Sequence, residues 1–181
     1  GWLSPIQYGW QYGEFRQGEG RERGTLVQVE PRFSLTAANA DDWVPVKPGA
    51  EGALALAIAS VIVDENLGDP AVSAAVKPLL AGVNPESVAE ATGVSAERIR
   101  AIAHDFASNQ PALALGGGLA GAQTNGAATL TAIYMLNTLV GNVGKPGGVI
   151  LNPAGAVDTA LDSASVTTVA EWKTLASRMR D

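Results

Sequence analysis

Residues able to do chemistry are few in this chain, and they fall in three places. The run Leu115-Gly116-Gly117-Gly118-Leu119-Ala120-Gly121, followed by Gln123-Thr124-Asn125-Gly126, sets glycines 116, 118 and 121 in the spacing of a dinucleotide fingerprint. There a backbone turns tightly and approaches a pyrophosphate at a helix start. The acidic strand end that a nicotinamide or flavin site needs about 20 positions on is not matched, because Gly141-Asn142-Val143 stands in that region. What survives is a glycine-rich segment leading into free helix-terminal N–H groups that suit a polar or anionic ligand, with a plain strand-to-helix loop as the bland alternative. Glu30 closes an alternating segment, where α/β proteins place the acceptor for a ribose, and Arg32 beside it suits a phosphate or a base face. Taken singly, both are ordinary surface charges. Glu51 opens an apolar helix after Pro48-Gly49-Ala50; the helix dipole alone accounts for a negative charge there, and the functional alternative is bidentate acceptance of the guanine N1–H and amino group.

Absences narrow the chemistry further. The 181 residues contain no cysteine and a single histidine, His104, which excludes disulfides, iron–sulfur ligation, thiolate zinc sites and cysteine nucleophiles. His104 lies about 140° round its helix from Ile99, on the polar face, and reads as solvated. No catalytic residue and no metal ligand is assigned. Twelve Lys and Arg against 18 Asp and Glu give a net charge of -6, which argues against nucleic acid as a partner. The apolar run from Gly52 to Val63 is well short of the roughly 20 residues of a spanning helix, so direct membrane insertion is not expected. The opening Gly1-Trp2-Leu3-Ser4-Pro5 is unlike a signal peptide and reads as interior to a longer chain.

The elements that position these residues follow from pattern. Residues 1–24, rich in glycine and aromatics, form an irregular or partly helical lead-in. Residues 25–153 form the main domain, and 154–181 a linker and C-terminal helix. Thr25 to Glu30 alternates and stops at Pro31, which predicts a strand; a short edge strand follows around Val44 to Val46. Glu51 to Leu67 is apolar on nearly every face and predicts a buried helix. Helices are expected over Asp69 to Leu80 with a break at Pro78, over Pro85 to Ala91 capped by Asn84, and from Ser95 to before Pro111 with Ile99, Ile102, Ala103 and Phe106 inward. Ala112 to Leu115 reads as a strand buried in a parallel sheet, Asn125 to Val140 as a helix with Leu130, Ile133, Leu136 and Val140 inward, and Val149 to Leu151 as a further strand. The tail carries Trp172 and Met179 on an apolar stripe suited to a core or docking face. The order predicts an α/β fold in three layers, with a short, mainly parallel sheet and helices on both faces.

Together these segments resemble the molybdopterin oxidoreductase family of the dimethyl sulfoxide reductase type, and in particular the subunits of menaquinone reductase and polysulfide reductase complexes. The resemblance rests on Val27-Gln28-Val29-Glu30-Pro31-Arg32 with Thr36-Ala37-Ala38 and Ala40-Asp41-Asp42-Trp43, on Val46-Lys47-Pro48-Gly49-Ala50-Glu51, on Thr92-Gly93-Val94 with Glu97-Arg98-Ile99, and on Leu136 to Gly148. It covers roughly residues 23–153. It implies a cofactor of molybdenum or tungsten held by molybdopterin guanine dinucleotide, with Glu30, Arg32 and Glu51 around one guanosine, and Gly116, Gly118, Gln123, Thr124, Asn125 and Gly126 toward the pterin. Both acids are one methylene longer than the family's usual aspartate. Further implications are electron transfer within a membrane-associated respiratory complex on the periplasmic or extracytoplasmic side, and partners in the remaining domains of the subunit, an iron–sulfur subunit and a membrane anchor subunit. Without cysteine ligands or a closing C-terminal barrel, these residues are expected to have no turnover alone. The alternative is a cofactor-free scaffold domain of such a complex.

Overall fold

The computed structural model describes residues 4–17, 20, 23–151 and 168–180. It divides into two compact units, Gly1–Ile150 and Leu151–Asp181. The first begins with helix α1, Pro5–Gln17, where an irregular lead-in was one of the expectations. None of its residues is buried, and polar bonds tie it to the segment ahead of the second strand: Tyr12 donates to the Asn39 carbonyl at 3.2 Å, and Arg16 reaches the Asp41 carboxylate, as does Arg23 beyond the helix. Arg16 first, and then the Leu26 N–H, hold Asp41 well below the usual carboxylate range.

A carboxyl group depressed in the folded state stabilises the fold at pH values above its unfolded value and loses that contribution as pH falls through the folded one. Asp41→Asn is therefore expected to cost about 1–3 kcal/mol at pH 7. Its deficit against the wild type should begin to shrink below about pH 4. Thermal midpoints of both proteins at pH 7 and pH 3 check this, and an equal deficit at both would refute it.

Strands β1, Val27–Val29, and β2, Asp42–Val44, pair in parallel, with Val27 opposite Asp42 and Val29 opposite Val44. Between them lies α2, Leu35–Asn39, whose N-cap Ser34 accepts from the Thr36 and Ala37 N–H groups. The fold is thus mixed α/β and rich in helix, and among the described residues its one sheet has two strands. β2 starts and ends two residues before the Val44 to Val46 expected from sequence, because Pro45 cannot donate to a ladder.

The core is built on α3, Glu51–Asp64, in which Leu54, Ile58, Val61, Ile62 and Val63 are all buried. A fully enclosed side chain such as Ile62 stabilises the fold by about 1.5–3 kcal/mol. Around it pack α4, Pro70–Val76, with a 3-10 turn over Lys77–Leu80 at the Pro78 break, α5, Pro85–Thr92, and α6, Ala96–Ser108, all with their starts capped by Asp69, Asn84 and Ser95. His104 on α6 is about half exposed, and its Nε2 lies 2.8 Å from the Glu65 carboxylate.

α7, Gly126–Leu139, runs parallel to α3 and beside it. A methyl group built on Gly52, in the first turn of α3, would lie 2.8 Å from the Thr129 hydroxyl in the first turn of α7, and at the other end Asp69 N–H donates to the Leu139 carbonyl at 2.7 Å. The buried face of α7 differs from the expected stripe. Leu136 is buried, but Leu130, Ile133 and Val140 are only partly so; Thr129, Ala132 and Leu139 are buried as well, and the buried Asn137 is turned to Ala114.

Two expected strands are corrected. Residues Ala112 to Leu115 form no strand, since side-chain amides occupy the place of a neighbouring chain: Asn137 bonds both the N–H (2.7 Å) and the carbonyl (2.8 Å) of Ala114, and Asn142 donates to the Ala112 carbonyl at 2.6 Å. Val149 to Leu151 is reduced to one parallel bridge, Val143 to Val149, across the turn at Gly144 to Gly148. In the second unit, α8, Val169–Arg178, starts with a capping box at Thr168 and Glu171 and has no buried residue; Trp172 and Met179 are exposed.

Candidate functional site

The parallel pairing of α3 and α7 brings two helix starts to one place. Both starts lack a side-chain cap: Ala50 precedes α3, and Asn125, which precedes α7, makes no capping bond with its amide. Helices α2, α4, α5, α6 and α8 are each capped by a Ser, Asp, Asn or Thr side chain. The uncapped pair therefore presents unsatisfied N–H groups and the positive ends of two dipoles together.

Glu51 sits at this junction as the first residue of α3. Only 8% of it is exposed, and its Oε2 is buried with no hydrogen-bond partner. Leaving a buried carboxylate oxygen unmatched costs about 1–3 kcal/mol, so the position is unfavourable unless a donor arrives from outside the chain. Gln123 borders the same spot, its side-chain carbon 4.0 Å from where a methyl on Gly49 would be. Gly49 itself has φ of +82°.

The turn from Gln123 to Gly126 is closed by the Gly126 N–H donating to the Gln123 carbonyl at 2.9 Å. Gly126 has no space for a larger residue, since a methyl there would fall 2.1 Å from the Gly121 carbonyl oxygen. Thr124 and Asn125 are exposed. Gly118, in the short 3-10 turn Gly118–Gly121, has φ of +54°, a conformation that glycine adopts without penalty, and its surroundings are open. Gly116 instead packs on α7, where Leu130 would crowd a methyl at 2.9 Å, and its carbonyl accepts from the Tyr134 hydroxyl at 3.2 Å.

Glu30 lies just past the end of β1. Its Oε1 accepts from the Ser34 hydroxyl and, at 3.2 Å, from the Ser34 N–H; these bonds, the hydroxyl's foremost, hold the carboxyl below its ordinary value. The Trp43 indole N–H donates to the Glu30 backbone carbonyl at 3.1 Å and fixes the strand end, while Arg32 is exposed. Glu30 directly follows the carboxyl end of β1, and Glu51 comes seven residues after the end of β2.

Sequence patterns did not single out Ser34 or Thr129. For Ser34 a signal existed in a cap residue directly ahead of Leu35-Thr36-Ala37, whereas nothing in the sequence marks Thr129 as the neighbour of Gly52.

A sequence profile for molybdopterin oxidoreductases matches residues 4–172. The chain belongs to the molybdopterin oxidoreductase family. Among its relatives, a probable dimethyl sulfoxide reductase chain of Escherichia coli K12 is 33% identical over 159 residues, covering 73% of this chain and 20% of the relative. The menaquinone reductase molybdopterin-binding-like subunit of Nitratidesulfovibrio vulgaris Hildenborough is 32% identical over 149 residues, covering 81% of this chain and 21% of that one. Among solved structures, acetylene hydratase from Pelobacter acetylenicus superimposes with a TM-score of 0.59 at 30% identity, over 65% of this chain and 17% of that one.

This molybdopterin oxidoreductase chain spans about a fifth of the length of the curated relatives it matches. The family implies a pterin cofactor carrying molybdenum or tungsten. The residues present fit a polar arm of such a group: a buried acceptor without a donor, two uncapped helix starts, and a glycine turn open to approach. Among the described residues no three acidic or histidine side chains cluster as metal ligands, and no helix is long and apolar enough to cross a membrane.

Proposed function

We propose that this chain is the segment of a molybdopterin-dependent oxidoreductase large subunit that holds one guanine dinucleotide arm of the cofactor. The observation that carries the proposal is the buried, unpartnered Oε2 of Glu51 at the joint start of α3 and α7. A guanine edge offers an N1–H and an amino group side by side, which is the donor pair a carboxylate accepts in bidentate fashion. Glu30, held by Ser34 and with its carbonyl bonded by Trp43, would accept from a ribose, and the exposed Arg32 would meet a phosphate or base face. Gly116, Gly118 and the Gln123-Thr124-Asn125-Gly126 turn form the wall toward the pterin, where backbone N–H groups at the start of α7 meet acceptor atoms.

The bound metal–pterin group supplies the redox chemistry, and this chain contributes none of its reacting side chains. Its part is to bind and orient: Glu51 fixes the base, the helix starts fix acceptor groups, and the apolar packing of α3 against α7 keeps water from the base-binding carboxylate. In the parent, electrons would pass to or from an iron–sulfur subunit and a membrane anchor subunit, with the complex on the periplasmic side. The names of relatives support this setting, a menaquinone reductase subunit and an arsenate respiratory reductase subunit among them.

A second reading, a cofactor-free scaffold, is favoured by one observation, that one oxygen of Glu30 is already satisfied within the chain by Ser34. Metal and pterin analysis of the assembled parent subunit separates the two. Pterin and molybdenum or tungsten in stoichiometric amount are expected, and a fully assembled subunit containing neither would decide for the scaffold.

A further inference from the structure

The segment from Ala112 to Gly116 has two sides, and one of them is bonded within the chain. Ala112, Ala114 and Gly116 direct their backbone groups toward α7 and the turn after it, where Asn142 takes the Ala112 carbonyl, Asn137 takes both groups of Ala114, and Tyr134 takes the Gly116 carbonyl. Bonding at every second residue is the signature of extended chain, in which the N–H and C=O of successive residues point to opposite sides. The backbone groups of Leu113 and Leu115 therefore face outward, and neither residue has a backbone hydrogen bond. Their side chains are exposed as well, Leu113 by 42% and Leu115 by 73%. From Gln110 to Gly121 there is no charged residue to blunt this edge, although exposed edges in finished proteins are blunted, covered or paired.

We propose that the Leu113–Leu115 edge receives an extended, apolar strand from the part of the subunit outside these 181 residues. The proposal rests on reading the chain as one part of a larger subunit, as its span of about a fifth of its relatives supports. Main-chain bonds to Leu113 and Leu115 would give the added strand its register, and the two leucines would give it an apolar contact. The edge runs directly into Gly116-Gly117-Gly118, so the same strand would fix the start of the glycine turn at the candidate site.

Hydrogen exchange at the Leu113 and Leu115 amides, measured in the intact subunit and in the 181-residue chain at low concentration, tests this directly. Slowing by about a hundredfold or more in the intact subunit, with near-free exchange in the chain alone, is expected. Fast exchange in both, or protection in the dilute chain alone, would overturn the proposal, and protection that appears only as the chain is concentrated would assign the edge to a second copy instead. Leu113→Pro removes the outward N–H and leaves the inward bonds of Ala112 and Ala114 in place. It should abolish protection at Leu115 in the intact subunit while shifting the thermal midpoint of the 181-residue chain by no more than about 2 °C, less than 1 kcal/mol would produce in a chain of this size. Leu113→Thr, which keeps the N–H, should retain the protection, and loss with Thr as well as Pro would overturn a main-chain role. Exchange is read independently of pterin content, so a subunit lacking cofactor but protected at Leu113 would sink the guanine assignment and leave the strand proposal standing.

Discussion

Glu51→Gln is expected to move ligand binding and stability in opposite directions. In the intact subunit it replaces one acceptor oxygen by an amide N–H facing a guanine donor. The loss of a charge-assisted bond together with that donor clash should weaken retention of the guanine arm by about 1.5–3 kcal/mol, ten- to a hundredfold. In the 181-residue chain the substitution replaces a buried charge by a neutral amide where one carboxylate oxygen has no partner. An unmatched buried charge costs more than an unmatched neutral amide, and this difference outweighs the roughly 0.3–1 kcal/mol of helix-dipole interaction that is given up. The thermal midpoint of the chain should therefore rise while cofactor content in the subunit falls. Such opposition is typical of residues kept for a ligand at the expense of the fold. Were Glu51 only a helix-dipole residue, stability would fall slightly and cofactor content would not change. Pterin content and the melting curve of the variant, measured side by side, decide between these outcomes.

Asn137→Ala should be among the most damaging single changes to the fold. The side chain is wholly buried and holds the N–H and the carbonyl of Ala114 at once. Its truncation removes two hydrogen bonds, leaves both partners unmatched beside the core, and opens a void, for a combined loss of about 3–5 kcal/mol. Asn137→Asp, of nearly the same size, keeps the acceptor for the N–H but sets an oxygen against the Ala114 carbonyl, so it should recover little of that loss. Urea unfolding of the 181-residue chain measures both; a cost under about 1 kcal/mol for the alanine variant would show that the 112–116 segment contributes little to the packed state.

The same asparagine marks where the sequence could be read and where it could not. Helices α3, α5 and α6 were legible because apolar spacing and cap residues act within a few positions, as at Asn84 with Pro85 and at Ser95 with Ile99. The first strand was legible from its alternation up to Pro31. The run Ala112-Leu113-Ala114-Leu115 has the composition of a buried strand, yet whether it becomes one depends on a partner. Here the partner is a pair of amides 23 and 30 positions away, a relation with no local trace. Asn137 itself left a faint one, a polar residue next to Leu136 in an otherwise apolar helix. At the candidate site, residue types pointed to Glu30, Glu51 and the glycine turn, but the bond that occupies Glu30 and the orphaned oxygen of Glu51 arise from tertiary placement. The joint start of α3 and α7 is likewise a product of packing, since the two helices are separated in the chain by three others.

That separation bears on the order in which the molecule assembles. Packing α7 beside α3 closes a loop of about sixty residues, an entropic cost met only after the intervening chain has been gathered in. Contacts of α3 with α5 and α6 span shorter stretches and can form while α7 is still unattached. The transition state is thus expected to contain α3 with α5 and α6, and the docking of α7 to come late. Truncations at Ile58 and Ile99 should then slow folding, whereas truncation at Leu136 or Leu139 should chiefly speed unfolding. The reverse pattern in stopped-flow kinetics would place α7 in the nucleus. If docking is late, the junction that carries Glu51 is completed last and opens first, which leaves a kinetic window for a large cofactor to enter before the two helices close beside it.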